Sequence, residues 1–169
     1  MNSKKGLARR SMTEGFTLVE LMVVVGIIAI LSAVVLAALT SGRNKGNDAG
    51  IKTNLHTIAN QAEIFYTDNN NSYLPMAGGA IRTLQACPAT YKANGTNMLS
   101  QNKTISDALI QATSLGNICW AYVSTNTWAV AIGLKSDSAS SWCVDNAGAS
   151  KQESFTPDLA IDNTTFNCK

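Results

Sequence analysis

The sequence predicts an α+β protein: a long N-terminal helix, apolar in its first half and amphipathic in its second, packed on a small antiparallel β-sheet head. Three observations predict it. Between Phe16 and Leu39, 20 of 24 residues are apolar, the exceptions being Thr17, Glu20, Gly26 and Ser32. Ile51, Leu55, Ile58, Ala59, Ala62 and Phe65 then recur at helical spacing, the stripe of a helix with one buried face. Aromatic and β-branched runs gather in the C-terminal third, where such residues favour strands. At 169 residues, 46% hydrophobic and 14% charged, the chain has room for one ordinary domain with a core and not for two.

Residues 1–15 form a basic leader, with Lys4, Lys5, Arg9 and Arg10 against the single acid Glu14. The apolar stretch that follows, residues 16–40, is long enough as a helix to cross a hydrocarbon core of about 30 Å. Positive flanks stay in the cytoplasm, so the leader is expected inside and the head, residues 41–169, outside. A secretory signal peptide cut near Ala37 or Ala38 competes with this reading, but the run is too long and carries Glu20. A plain anchor leaves Glu20 unexplained, and a carboxylate at a membrane-helix centre costs about 2.5–3.5 kcal/mol.

Gly42, Gly46 and Gly50 recur every four residues among Arg43, Lys45, Asn47 and Asp48. Charge between the glycines argues against a lipid-embedded packing face, and each mid-helix glycine costs about 0.8–1.0 kcal/mol relative to alanine. They read as a weak joint. The amphipathic helix spans 51–66 and is expected to stop near Tyr66, where Asp68, Asn69, Asn70, Asn71 and Ser72 compete for backbone hydrogen bonds and Pro75 follows. Ser106 to Ser114 reads as a short helix. Ile118–Val123 and Thr127–Ile132 read as a hairpin, with a third strand at Ser141–Val144 before the turn string Asp145-Asn146-Ala147-Gly148. The antiparallel sheet thus covers about 118–145, and the predicted core is Leu55, Ile58, Ala62, Phe65, Trp120, Tyr122, Val130 and Ile132. Trp120, Trp128 and Trp142 read as core side chains rather than as a sugar-stacking platform.

Composition excludes several functions. A net charge of +2 without a block of like charge gives no basis for nucleic-acid binding by bulk electrostatics. Four cysteines without a C-x-x-C pair, beside one histidine, point to disulfides in an oxidising compartment rather than to zinc. That histidine, His56, stands among polar neighbours and reads as a solvated surface residue, so no catalytic residue is assigned and no enzyme is expected.

Gly15-Phe16-Thr17-Leu18-Val19-Glu20, followed by the apolar run Leu21 to Leu31, resembles the processing site and first helix of type IV pilins and pseudopilins. The resemblance covers roughly residues 6–39. It implies cleavage between Gly15 and Phe16 by a prepilin peptidase, N-methylation of Phe16 by the associated methyltransferase, and homo-oligomeric assembly into a helical filament through Phe16 and Glu20. A glycine lets a protease cleft approach closely. The new amine is largely cationic at neutral pH, and Glu20 of a neighbouring subunit can meet it, a pair whose value lies in fixing axial register. Near a helix start Glu20 is also favoured by the macrodipole. The sequence departs from many pilins in having Ala37 where they carry proline. Glu63 to Asn69 and Tyr73-Leu74-Pro75 also look like the end of the long pilin helix.

The resemblance further implies a single-pass inner-membrane precursor that passes through a pilus assembly platform into an extracellular pilus serving adhesion, motility or DNA uptake. The alternatives are a type II secretion pseudopilin forming a periplasmic pseudopilus and, from another class, a membrane-anchored extracytoplasmic binding module. Cys87, Cys119, Cys143 and Cys168 allow three pairings. Cys87–Cys119 with Cys143–Cys168 is preferred because the second bridge ties an otherwise loose tail to the sheet, as pilins commonly do. No cofactor is expected; calcium stays an alternative through Asp137, Asp145, Asp158 and Asp162, although no EF-hand spacing is present. Four Asn-x-Ser/Thr sequons, at Asn70, Asn94, Asn102 and Asn163, occur at the chance level for an Asn-rich chain. Loss of the leader leaves nine basic against ten acidic side chains, with Glu20 the only charge inside the apolar run.

Overall fold

The computed structural model describes residues 15–75, 81–88 and 90–169, so the leader up to residue 14 lies outside the described residues. The chain divides into two compact units, Met1–Leu39 and Thr40–Lys169. Helix α1, Leu18–Asp68, contributes to both. In the first unit its large apolar side chains all stand exposed.

In the second unit α1 is followed by β1 (Ile81–Ala86), α2 (Met98–Gln101), α3 (Lys103–Leu115), β2 (Cys119–Val123), β3 (Trp128–Gly133), β4 (Ser141–Asp145), β5 (Ser150–Glu153) and α4 (Pro157–Ala160). The five strands form one sheet in sequence order, every pair antiparallel. The apolar stripe of α1 does what its spacing predicts: Ile51, Leu55, Ile58, Ala62 and Phe65 are buried and share one core with Leu99, Ile105 and Leu109 of α2 and α3 and with Val123, Trp128, Val130 and Ile132 of the sheet. A smaller cluster on the other face joins Ala129, Ala131 and Cys143 to Ala160 and Ile161. Strand β3 is therefore buried along its whole length.

This two-sided burial corrects the face assigned to β2. Cys119, Ala121 and Val123 point into the main core, while Trp120 and Tyr122 are only half-buried. They lie opposite Ala131 and Ala129, on the face covered by the tail, where Tyr122 stacks on Phe166 at 3.8 Å between ring centroids. Successive strand side chains alternate faces, so a one-residue error in register reverses every assignment. Trp128 is fully buried, and half-buried Trp142 lies on its side of the sheet under the Lys52 ammonium, 4.4 Å from the ring centroid. The three indoles thus form no common platform.

Three other expectations change. The sheet has five strands, not three: β1 pairs with β2 through an irregular register, and β5 is a polar edge strand, Ser-Lys-Gln-Glu. The short helix starts three residues earlier than expected, at Lys103, because the Asn102 carboxamide caps it by accepting the Ile105 N–H at 3.1 Å. Helix α1 runs to Asp68 rather than ending near Tyr66. Its last carbonyls are closed by the Asn69 side chain donating to Phe65 O (2.8 Å) and by Asn71 N–H donating to Tyr66 O (2.9 Å). Asn70 and Asn71 have φ of 54° and 58°, a region asparagine tolerates better than most residues.

The three glycines do not interrupt α1. Gly42 and Gly46 face open space, but a Cβ at Gly50 would come within 2.6 Å of Leu115 Cδ1. Gly50 is thus a place of close approach between α1 and the end of α3. Next to it, Asp48 is buried and its carboxylate accepts the Lys135 N–H at 2.6 Å, the Ser136 N–H at 3.2 Å and the Ser136 hydroxyl. This fastens α1 to the loop after β3. Tyr73 closes the other end of the helix: it is buried, its N–H donates to Thr125 O at 3.0 Å and its hydroxyl to Glu63 Oε1 at 2.9 Å.

Candidate processing and assembly site

Gly15, Phe16 and Thr17 are non-helical and exposed, and α1 begins at Leu18. A Cβ at Gly15 would meet nothing within 4 Å, so folding places no demand for glycine there. Thr17 and Glu20 build the helix start. The Thr17 hydroxyl accepts the Glu20 N–H at 3.2 Å, while Glu20 Oε2 accepts the Thr17 N–H at 2.9 Å and its hydroxyl at 2.8 Å. This reciprocal arrangement is a capping box, in which a threonine and a glutamate three residues on satisfy each other's free backbone donors. Sequence reasoning weighed Glu20 as an ion-pair partner and as a dipole-favoured acid but missed Thr17. The T-x-x-E spacing before an apolar run was the available signal.

Phe16 is 85% exposed, and the apolar side chains from Leu18 to Leu39 are between 47% and 74% exposed. By length and composition α1 can cross a membrane, with a mean hydropathy of 3.0 over its most apolar 18 residues and none of that window buried. Burying such a surface in lipid or against other apolar helices is favourable by about 25 cal/mol per Å².

On the head, Cys87 bonds to Cys119 and Cys143 to Cys168. The first bridge ties the end of β1 to β2; the second holds the tail against β4. The tail is further fixed by Cys168 N–H donating to Asp145 Oδ2 at 2.8 Å and by Lys169 N–H donating to Ala160 O at 3.1 Å. The aspartates that offer oxygen ligands for calcium serve separate turns. Asp145 also accepts the N–H groups of Ala147 and Ala149. The Ser140 hydroxyl and the Ala139 N–H hold the Asp137 carboxyl below the usual carboxylate range. The Thr164 hydroxyl, with the N–H groups of Thr165 and Thr164, does the same for Asp162. Asp158 lies in the first turn of α4. Among the described residues no three His, Cys, Asp or Glu side chains come together as a metal site. His56 is exposed on α1.

An exposed apolar helix with a capped start, and an α+β head of five antiparallel strands, give the architecture that the resemblance to type IV pilins implies. Residues 10–36 match the family described as the prokaryotic N-terminal methylation motif. The chain is also 36% identical over 76 residues to the type IV wide pilus major component PilA4 of Thermus thermophilus, a match covering 45% of this chain and 58% of that protein. The chain thus carries the family's N-terminal motif and is similar to a type IV pilin over little more than half of that protein's length. No solved structure matches the chain.

Proposed function

We propose that the chain is a prepilin, a structural subunit and not an enzyme. Cleavage between Gly15 and Phe16, N-methylation of Phe16 and stacking of the exposed apolar helices then give a helical filament. The observation that carries this reading is the methylation motif over residues 10–36, which runs into a helix from Leu18 whose start is capped and whose apolar surface is uncovered. The leader, residues 1–15, is the part removed; residues 16–40 sit in the membrane and then in the filament core; residues 41–169 form the head. The precursor is a single-pass protein of the inner membrane, leader inside and head outside, which meets the prepilin peptidase and the assembly platform before it reaches the cell surface.

Glu20 has two partners available in sequence. In the free subunit its carboxylate closes the capping box with Thr17. In the filament it pairs with the Phe16 amine of a neighbour, and the pairing selects one axial offset. The relative's name as a major component of a wide pilus favours an extracellular pilus over a secretion pseudopilus, with adhesion, motility or DNA uptake as its task. Mass spectrometry of the mature N-terminus tests the reading: N-methylated Phe16 is expected, and an uncut chain or a terminus elsewhere overturns it.

A further inference from the structure

The four sequons are not equivalent once the chain is folded. At three of them a group that glycosylation needs is already engaged. The Asn102 carboxamide oxygen caps α3. The Ser72 hydroxyl, two residues after Asn70, donates to Leu74 O at 2.8 Å and accepts the Leu74 N–H. The Thr165 hydroxyl, two residues after Asn163, is bonded to Asp162 at 3.2 Å.

Asn94-Gly95-Thr96 is built differently. Lys92 and Gly95 close a turn, with Gly95 N–H donating to Lys92 O at 2.8 Å, and Lys92 N–H donates to Ser100 O at 2.9 Å. Gly95 is buried against α2, where a Cβ would collide with Ser100 Oγ and lie 2.8 Å from Gln101 N. Glycine is therefore required at the middle position, and its burial pins the turn to the head. The flanking Asn94 and Thr96 are both exposed. Among the described residues no hydrogen bond engages either side chain. Beside them lies a polar hollow of about 390 Å³, to which Gln85, Thr90 and Lys92 contribute, with room for a hydroxyl-rich group.

We propose that Asn94 is the head's N-glycosylation acceptor, and that its co-substrate is an oligosaccharide carried on a polyprenyl diphosphate. The Asn94 amide nitrogen attacks the anomeric carbon of the first sugar. The bond from that carbon to the diphosphate oxygen breaks, the lipid diphosphate leaves with the electron pair, and the amide nitrogen gives up one proton to the transferase. No electron transfer is involved. In the cell this rests on the head being exported, the reading given above.

The test uses the full chain in detergent with its disulfides intact, a purified single-subunit oligosaccharyltransferase that accepts Asn-x-Ser/Thr, and a short lipid-linked oligosaccharide. A synthetic peptide of residues 90–98 is the positive control. Glycopeptide mapping should show one adduct on the folded chain, at Asn94, and none in Asn94→Gln or Thr96→Ala. The reduced and alkylated chain should accept glycan at Asn70, Asn102 and Asn163 as well. A folded chain that stays bare while the peptide is modified overturns the proposal, as do adducts on the folded chain at the other three sequons. So does a bare Asn94 in protein purified from its own cells with a methylated Phe16 terminus. Failure of the export reading shows separately, as an uncut N-terminus.

Discussion

Replacing Asp48 with alanine should loosen the head far more than an ordinary change on a helix surface. The carboxylate is buried and receives two backbone N–H groups and one hydroxyl from the loop after β3. Hydrogen bonds to a charged group contribute roughly 1.5–3 kcal/mol net. Ser136 is exposed and Lys135 half-buried, so water recovers part of the loss, and a cost of about 2–3 kcal/mol is expected. Unfolding entropy near 2.1 cal/mol/K per residue, taken over the roughly 130 residues from Thr40 onward, gives about 0.27 kcal/mol/K, so 2.5 kcal/mol lowers Tm by about 9 °C. Asp48→Asn keeps one acceptor oxygen and should lose about half as much. Thermal unfolding in detergent with the disulfides intact measures the shift, and hydrogen exchange at Lys135 and Ser136 should accelerate selectively. A Tm change under about 2 °C for the alanine variant, or unaltered exchange at those two amides, would refute the assignment of Asp48 as the fastening between helix and loop.

Glu20→Ala should leave cleavage and methylation at Phe16 intact but abolish filaments, read by mass spectrometry and negative stain; normal filaments would sink the register role. Gly46→Ala has open space and should stabilise the helix by about 0.8–1.0 kcal/mol, whereas Gly50→Ala meets Leu115 and should lose that gain, a contrast that denaturant midpoints can resolve. Burial, reinforced by Glu63, pushes the Tyr73 phenol up from its ordinary value of 10.0. The folded state therefore holds this proton more tightly than the unfolded one. Its contribution is fully present below pH 10 and falls as pH rises above it. The stability advantage of the wild type over Tyr73→Phe should accordingly shrink between pH 9 and pH 11 in urea titrations; a constant difference would contradict the burial argument.

What the sequence made legible follows from how local each signal is. The apolar run and the Ile51 to Phe65 stripe were readable because helical spacing is written in neighbouring residues. The faces of β2 were not: Ile118 to Val123 is apolar throughout, so periodicity contains no information about which side meets α1, and only pairing with β3 decides it. Strand β5 escaped because Ser-Lys-Gln-Glu has no apolar face, and it exists through its ladder with β4. Thr17 was legible and overlooked, since its partner is three residues away. Asp48 gave no signal, because its acceptors' donors are backbone groups 87 and 88 residues further along. The disulfide pairing was a choice among three, made on the grounds that a tail must be tied down, and the turn that presents Asn94 depends on a burial of Gly95 that composition does not reveal.

The placement of the three indoles supplies optical reporters for separate parts of the head. Trp142 senses the Lys52 side, where α1 lies; Trp120 senses the side covered by the tail; Trp128, on the same side of the sheet as Trp142, is sealed in the main core. Loss of the tail, undocking of the helix and global melting therefore carry different emission signatures. Keeping one tryptophan at a time, with phenylalanine at the other two positions, would let ordinary fluorescence follow each event in turn, without an added label.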